Sequence, residues 1–237
     1  MKKYKKTDEV SYALGITIVF YLIEAKKEVI NKIYIHSKFA GTDAYNKLIS
    51  LCDKDNIKYE INDKVFNVLS DKENCFVIGE FKKYETNINF KDNHLVLVNP
   101  ANAGNLGTII RSMLGFNISN LVIITPSVDI FDPKVIRASM GAIFNINFKF
   151  YDSFLIYQKE AQDHRIFPFM LQTNNNIKDI AFENNFSLVF GNEATGLDQS
   201  FLKIGTPVKI HHSDKIDSLN LPNAVTIGLY EATKKLF

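Results

Sequence analysis

The sequence predicts an α/β protein whose strands lie mostly parallel, arranged as two successive blocks. Three observations predict it. Short, near-continuous apolar runs such as "HLVLV" (94–98) and "SLVFG" (187–191) suit strands covered on both faces. Stretches with apolar residues at helical spacing separate these runs. Alternation of the two favours crossover connections and hence a mostly parallel sheet.

In the first block, a long helix through Val10–Lys27 leads into the strand "KIYIH". A helix around Tyr45–Asp53, a strand "KYEI", a short helix around Val65–Ser70 and a strand around Cys75–Glu80 follow. The polar stretch "YETNINFKDN" at 84–93 separates the blocks and sets a boundary near residue 90, giving domains 1–90 and 91–237. The second block has strands "HLVLV", "NLVIIT" (120–125), "RIFPFML" (165–171), "SLVFG" and "TPVKI" (206–210). Helices are expected over Leu106–Gly115, Lys134–Ile143, Phe154–Gln162, near Ile177–Glu183, and over Leu221–Leu236.

Composition bounds the function. Hydrophobic residues make up 46% of the 237 positions, enough for a full core, and a net charge of +2 announces no overall field for a polyanion. A nucleic-acid site must therefore be a local patch. Only Arg111, Arg137 and Arg165 among the 28 basic residues are arginine, a choice that matters where a planar, always-charged fork is needed. Arg165 reads as a structural ion pair. Cys52 and Cys75 form neither a metal-ligand spacing nor a disulfide framework, which fits a reduced cytoplasm. "MKKYKK" before "ALGITIVFYLI" resembles a signal peptide, but Asp8 and Glu9 interrupt it, and the apolar run is shorter than the ~18–20 residues that span a bilayer. A cytoplasmic protein with no membrane span is expected.

Ligands of open sheets bind beyond the carboxyl ends of the strands. Three polar clusters fall there. "NAGNLGTIIRS" puts Asn105 at a helix start as an N-cap, with Gly104 and Gly107 allowing tight turning and Arg111 about one turn further on. A helix N-terminus suits an anion such as an RNA phosphate. A capped helix with a surface arginine explains the same residues. No P-loop and no G-x-G-x-x-G is present. In "FGNEATGL", Gly191 lets a planar ligand approach the backbone, and Glu193 either positions a polar group or caps the neighbouring helix. In "HHSDKIDSLNLPNA", His211 and His212 alternate in direction if they continue a strand, so they share no metal, and no metal site is expected. Ser218 and Asn220 stand at the mouth of the last helix, where Asn220 with Pro222 also reads as a cap.

Taken together and in this order, the clusters resemble the SpoU/TrmH-type RNA ribose 2′-O-methyltransferases of the SPOUT superfamily. Asn105, Gly107, Ile109 and Arg111 look like the family's N-x-G-x-I-x-R motif. Gly191, Asn192, Glu193, Gly196 and Leu197 look like G-N-E-x-x-G-L, and Ser218, Leu219 and Asn220 like S-L-N. "IRASMGA" (136–142) is similar to a further family segment. The match covers about residues 94–236; the first block is similar, by element pattern only, to an L30e-like substrate-binding domain.

The resemblance implies a C-terminal domain tied in a trefoil knot, an exception to the usual absence of knots. It implies S-adenosylmethionine as cofactor, held by Gly191, Ile210 and Leu219, and a catalytic set of Asn105, Arg111, Glu193, Ser218 and Asn220. It implies an RNA substrate, ribosomal in preference to transfer RNA, and a homodimer through the knotted domain. Two departures stand out: His211-His212 where many members have Pro-Met, and Pro222-Asn223 where a small or hydroxyl residue is commoner. The competing readings are a non-catalytic RNA binder and a base-directed methyltransferase.

Overall fold

The structure, a computed structural model, describes residues 3–69, 74–183 and 185–237. Strand β1 (Val10–Leu14) opens the chain and helix α1 (Ile16–Lys26) follows it. The long helix expected from Val10 is therefore two elements. Gly15, at φ 109°, lies where a helix would have to continue, and Val10–Leu14 pair antiparallel with a later strand instead. Helix α1 buries Ile18, Val19, Leu22 and Ile23, the spacing of one helix face. Strand β2 (Ile30–Ile35), helix α2 (Asp43–Asp55), strand β3 (Tyr59–Ile61), helix α3 (Asp63–Leu69) and strand β4 (Val77–Lys82) complete this run. Thr42 caps α2 by accepting from the Tyr45 N–H at 3.1 Å, and left-handed Asn56 ends it. Ser70, the last residue of the expected third helix, lies outside the described residues.

The sheet order is β1-β4-β2-β3, and only β2–β3 is parallel. The first block is thus mainly antiparallel, against expectation. Strand β4 enters between β1 and β2 and runs opposite to both, so the strand–helix alternation does not here signal parallel pairing.

Strand β5 (His94–Val98), helix α4 (Ala103–Gly115) and strand β6 (Asn120–Ile124) come next. Helix α5 (Pro133–Ala138) is shorter than expected: Met140 and Gly141 both have positive φ, and a 3-10 turn (Ala142–Asn145) replaces the rest. Strand β7 (Asn147–Tyr151), helix α6 (Phe154–Glu160), strand β8 (Arg165–Pro168), strand β9 (Phe186–Phe190) and helix α7 (Leu221–Thr233) follow. The second sheet has the order β7-β6-β5-β9-β8 with every pairing parallel, as its apolar runs predict. Leu95, Val96, Leu97, Leu121, Val122, Ile123, Leu188 and Val189 are fully buried within it.

Two expectations fail in this sheet. "TPVKI" is no strand of it: it makes only isolated bridges, Phe169–Val208 and Asn176–Lys209. Gly205 turns tightly against the Ile166 carbonyl, and Pro207 has no N–H to give a ladder. The helix near Ile177–Glu183 is a single 3-10 turn, Ile177–Asp179, capped by Asn176. Strand β7 was not expected; its half-buried Lys149 and exposed Phe150 hide the apolar pattern of an edge strand.

The chain forms two compact units, residues 1–84 with 129–145, and residues 85–128 with 146–237. A single cut near residue 90 does not reproduce them.

Candidate active site

Strands β5 and β9 are sheet neighbours; β6, which follows β5, lies on one flank of the pair, and β8, which precedes β9, lies on the other. This is the place where an open parallel sheet forms a crevice beyond its carboxyl ends. The loops that follow, 99–102 and 191–197, are joined there by side chains.

Glu193 makes most of the joint. Its Oε2 accepts from the Ala101 N–H at 3.0 Å, and its Oε1 accepts from the Asn102 N–H at 3.1 Å and the Asn105 Nδ2 at 3.3 Å. Burial alone raises the Glu193 carboxyl. Hydrogen bonds from the backbone N–H groups of Ala101, Glu193 itself and Asn102, and from the Asn105 amide, outweigh it and hold the group below its ordinary value. Glu193 is therefore an anion committed to holding a loop. Asn192 adds a second tie: its Nδ2 donates to the Asn99 carbonyl at 2.8 Å, and its Oδ1 accepts from the Ala194 N–H at 2.9 Å. Asn99 turns the first loop at φ 53°.

Helix α4 begins at Ala103, not Leu106, and its cap is Asn102, whose side chain accepts from the Asn105 N–H at 3.0 Å. Asn105 is thus a first-turn residue reaching Glu193, and the expected N-cap role passes to Asn102. Gly104 and Gly107 lie inside the helix. Leu106, Ile109, Ile110 and Met113 are buried, which leaves Arg111 on the solvent side. Arg111 makes no hydrogen bond or ion pair among the described residues. Arg165 does pair, with Glu183 at 2.7 Å.

Beside the joint lies a cavity of about 230 Å³. Gly191, Glu193, Ile210, Ser218 and Leu219 line it, and so do Phe169, Phe190, Leu197 and His212. Five of the eight expected site residues thus meet at one cavity, while Asn105, Arg111 and Asn220 lie off its wall. A Cβ on Gly191 would sit 2.1 Å from the Gly196 carbonyl carbon. The missing side chain therefore serves the loop's own close return, not only approach of a ligand. Asn220 precedes α7 without a side-chain cap; its carbonyl accepts from the N–H groups of Asn223 and Ala224, both at 3.0 Å. His211 and His212 lie beyond any strand, so the alternation argument does not apply to them. His212 Nδ1 is 3.1 Å from the Ser213 carbonyl. Among the described residues no cluster of His, Cys, Asp and Glu could hold a metal ion.

Sequence reasoning missed Asn102, Asn99 and the aromatic wall of Phe169 and Phe190, whose rings stack at 4.1 Å and 15°. Asn102 stands three residues before Asn105, the spacing of a cap and the N–H it accepts. Nothing local marks the two phenylalanines.

A five-stranded parallel sheet with loops tied at its switch point, beside a cavity lined by apolar and polar groups, defines an α/β ligand-binding unit. The model of the SpoU rRNA Methylase family matches residues 92–230, more than half of the chain, and the chain belongs to that family. It is 29% identical over 144 residues to an uncharacterized tRNA/rRNA methyltransferase from Synechocystis sp., a match that covers 60% of this chain and 53% of that protein. Identity is also 29% over 144 residues to the 23S rRNA (uridine(2479)-2′-O)-methyltransferase of Streptomyces viridochromogenes, over 57% of this chain and 50% of that one. The chain thus spans about half the length of these curated relatives. The fold is shared with the AdoMet-bound rRNA methyltransferase of Sinorhizobium meliloti, at a TM-score of 0.79 and 22% identity, covering 97% of this chain and 88% of that one. Among the described residues no helix is long and apolar enough to cross a membrane.

Proposed function

We propose that this protein methylates a ribose 2′-hydroxyl of RNA with S-adenosylmethionine. The observation that carries the proposal is the Glu193 joint, which ties the loop before the Arg111 helix to the loop that walls the cavity. The cavity fits such a cofactor: aromatic and aliphatic walls from Phe169, Phe190, Ile210 and Leu219 suit a purine, and a polar rim at Glu193 and Ser218 suits its hydrophilic parts. Bound S-adenosylmethionine supplies an electrophilic methyl group on a sulfonium.

The chain's residues do the rest. Arg111 is exposed and, among the described residues, without a partner, so its guanidinium remains available for an RNA phosphate and for the alkoxide that develops as the hydroxyl loses its proton. It acts as a cation; a guanidinium does not give up its proton at pH 7. Glu193 and Asn105 hold the start of α4, and with it the approach of Arg111. Gly191, Ile210 and Leu219 hold the cofactor, with Ser218 and Asn220 at its mouth. The 2′-hydroxyl makes RNA rather than DNA the substrate.

Several finer points belong to the same reading. The first domain is an L30e-like RNA-binding unit within residues 1–90. The segment after β9 closes a trefoil knot. The protein pairs as a homodimer through its second domain, which the exposed Ile227, Tyr230, Leu236 and Phe237 at the end of the chain support. Ribosomal RNA is the favoured substrate on the two-domain layout; the relatives' names include both ribosomal and transfer RNA. The work takes place in the cytoplasm, without metal.

The test is transfer of labelled methyl from S-adenosylmethionine to unmodified ribosomal and transfer RNA pools, read by nucleoside mass spectrometry. A 2′-O-methyl nucleoside that Arg111→Ala abolishes is the expected product. A methylated base would replace the ribose reading, and RNA binding without cofactor binding would make the protein a non-catalytic binder.

A further inference from the structure

We infer that Gly228 is a positioning residue for the cofactor cavity, acting through the stacked Phe169–Phe190 pair. The inference rests on the cofactor reading above and names the element that fixes the cavity's aromatic wall.

Helix α7 presents Leu221, Ala224 and Gly228 at helical spacing. Leu221 and Ala224 line the cavity. Gly228, the next on this face, is buried and meets the rims of both rings instead. A Cβ there would lie 2.9 Å from Phe190 Cζ and 3.0 Å from Phe169 Cζ, inside van der Waals contact in both directions. The two rings are parallel within 15° and 4.1 Å apart, so they have no room to close on one another. Phe190 is set in a central strand and is 3% exposed. Phe169 follows the last residue of an edge strand, is half-buried, and faces the cavity. A methyl group at position 228 therefore displaces the less buried ring, Phe169, and with it the cavity wall. Glycine in a helix interior weakens that helix relative to alanine. The helix by itself prefers alanine here; the ring pair is what requires glycine.

The cavity's depth is thus set jointly by a helix position and two rings. A flat purine against Phe169 feels a displacement of that ring directly, because stacking weakens as the interplanar gap changes.

The experiment is calorimetric titration of S-adenosylmethionine into the full chain, its Gly228→Ala variant, its Phe169→Leu variant and the double variant. Gly228→Ala should weaken binding about tenfold, the size expected of one overpacked methyl group. Phe169→Leu weakens binding by itself, because it removes the ring; the double variant should bind within about threefold of Phe169→Leu, since a leucine side chain smaller than the ring gives the methyl room. If Gly228→Ala does not fold, that match between the double variant and Phe169→Leu carries the test. Unchanged affinity in Gly228→Ala, or a double variant about tenfold weaker than Phe169→Leu, overturns the inference. A parent chain that binds no S-adenosylmethionine removes the cofactor reading itself, and this inference with it.

Discussion

Glu193 accepts the N–H groups of Ala101, Asn102 and Asn105 across the joint with its two carboxylate oxygens, and that decides what its replacement does. Glu193→Gln keeps the shape but turns an NH₂ toward a backbone N–H, leaving a donor unpaired. The expected cost is about 1–3 kcal/mol in denaturant unfolding, with methyl transfer reduced alongside. Because the carboxyl is held low, the joint is complete above the ordinary carboxylate value of ~4.3 and loosens only as the pH falls through its own lower value. Gly191→Ala puts a methyl group into the Gly196 backbone, and the same unfolding experiment should show a loss of about 1–3 kcal/mol or more. The sequence made Gly191 and Glu193 visible as types: a glycine ending a strand and an acid in the turn after it. Their partners were not legible, because Ala101 and Asn102 bind through backbone N–H groups some ninety residues away.

At the scale of elements, the second sheet was legible because each of its central strands is apolar on both faces. The first was not, because alternation of strands and helices says nothing about the direction in which β4 is inserted. "TPVKI" misled because a β-branched run carries no sign of whether a neighbour will accept its ladder. One buried network ties β5, α6 and β9 together: His94 Nδ1 is 2.9 Å from the Tyr157 hydroxyl, which is 2.6 Å from Ser187 Oγ. Burial pushes His94 down to about 4, so it stays neutral as an acceptor for Tyr157. The unfolded chain takes up that proton near ~6.5. Stability from His94 is therefore complete above ~6.5 and is lost as the pH falls toward about 4, by about 3 kcal/mol at most. Unfolding followed from pH 7.5 to 4.5 should show this decline in the parent and a shallower one in His94→Gln. Tyr157→Phe, which removes the link between His94 and Ser187, should cost about 1–3 kcal/mol at pH 7.5.

At the scale of the whole molecule, the proposed dimer predicts twice the chain mass by light scattering at micromolar concentration, and a monomer there would refute it. Replacing Tyr230 and Phe237 with polar residues should shift that mass toward one chain. A further consequence lies in the order of the two units along the chain. Phe81 packs edge-on to Phe131 at 6.0 Å and to Phe144 at 5.4 Å, and Ser11 Oγ donates to the Phe131 carbonyl. These contacts close the first unit, yet their partners come some fifty residues or more later in the chain, after β5, α4 and β6 of the second unit. A chain made from its N-terminus cannot finish its first unit when residue 84 emerges. At about 5–20 residues per second, it waits several seconds for residues 129–145, with Phe81 uncovered and two of the five strands of the second sheet, β5 and β6, already made. Newborn chains of this protein should accordingly hold on to ribosome-associated chaperones until residue 145 has cleared the exit tunnel.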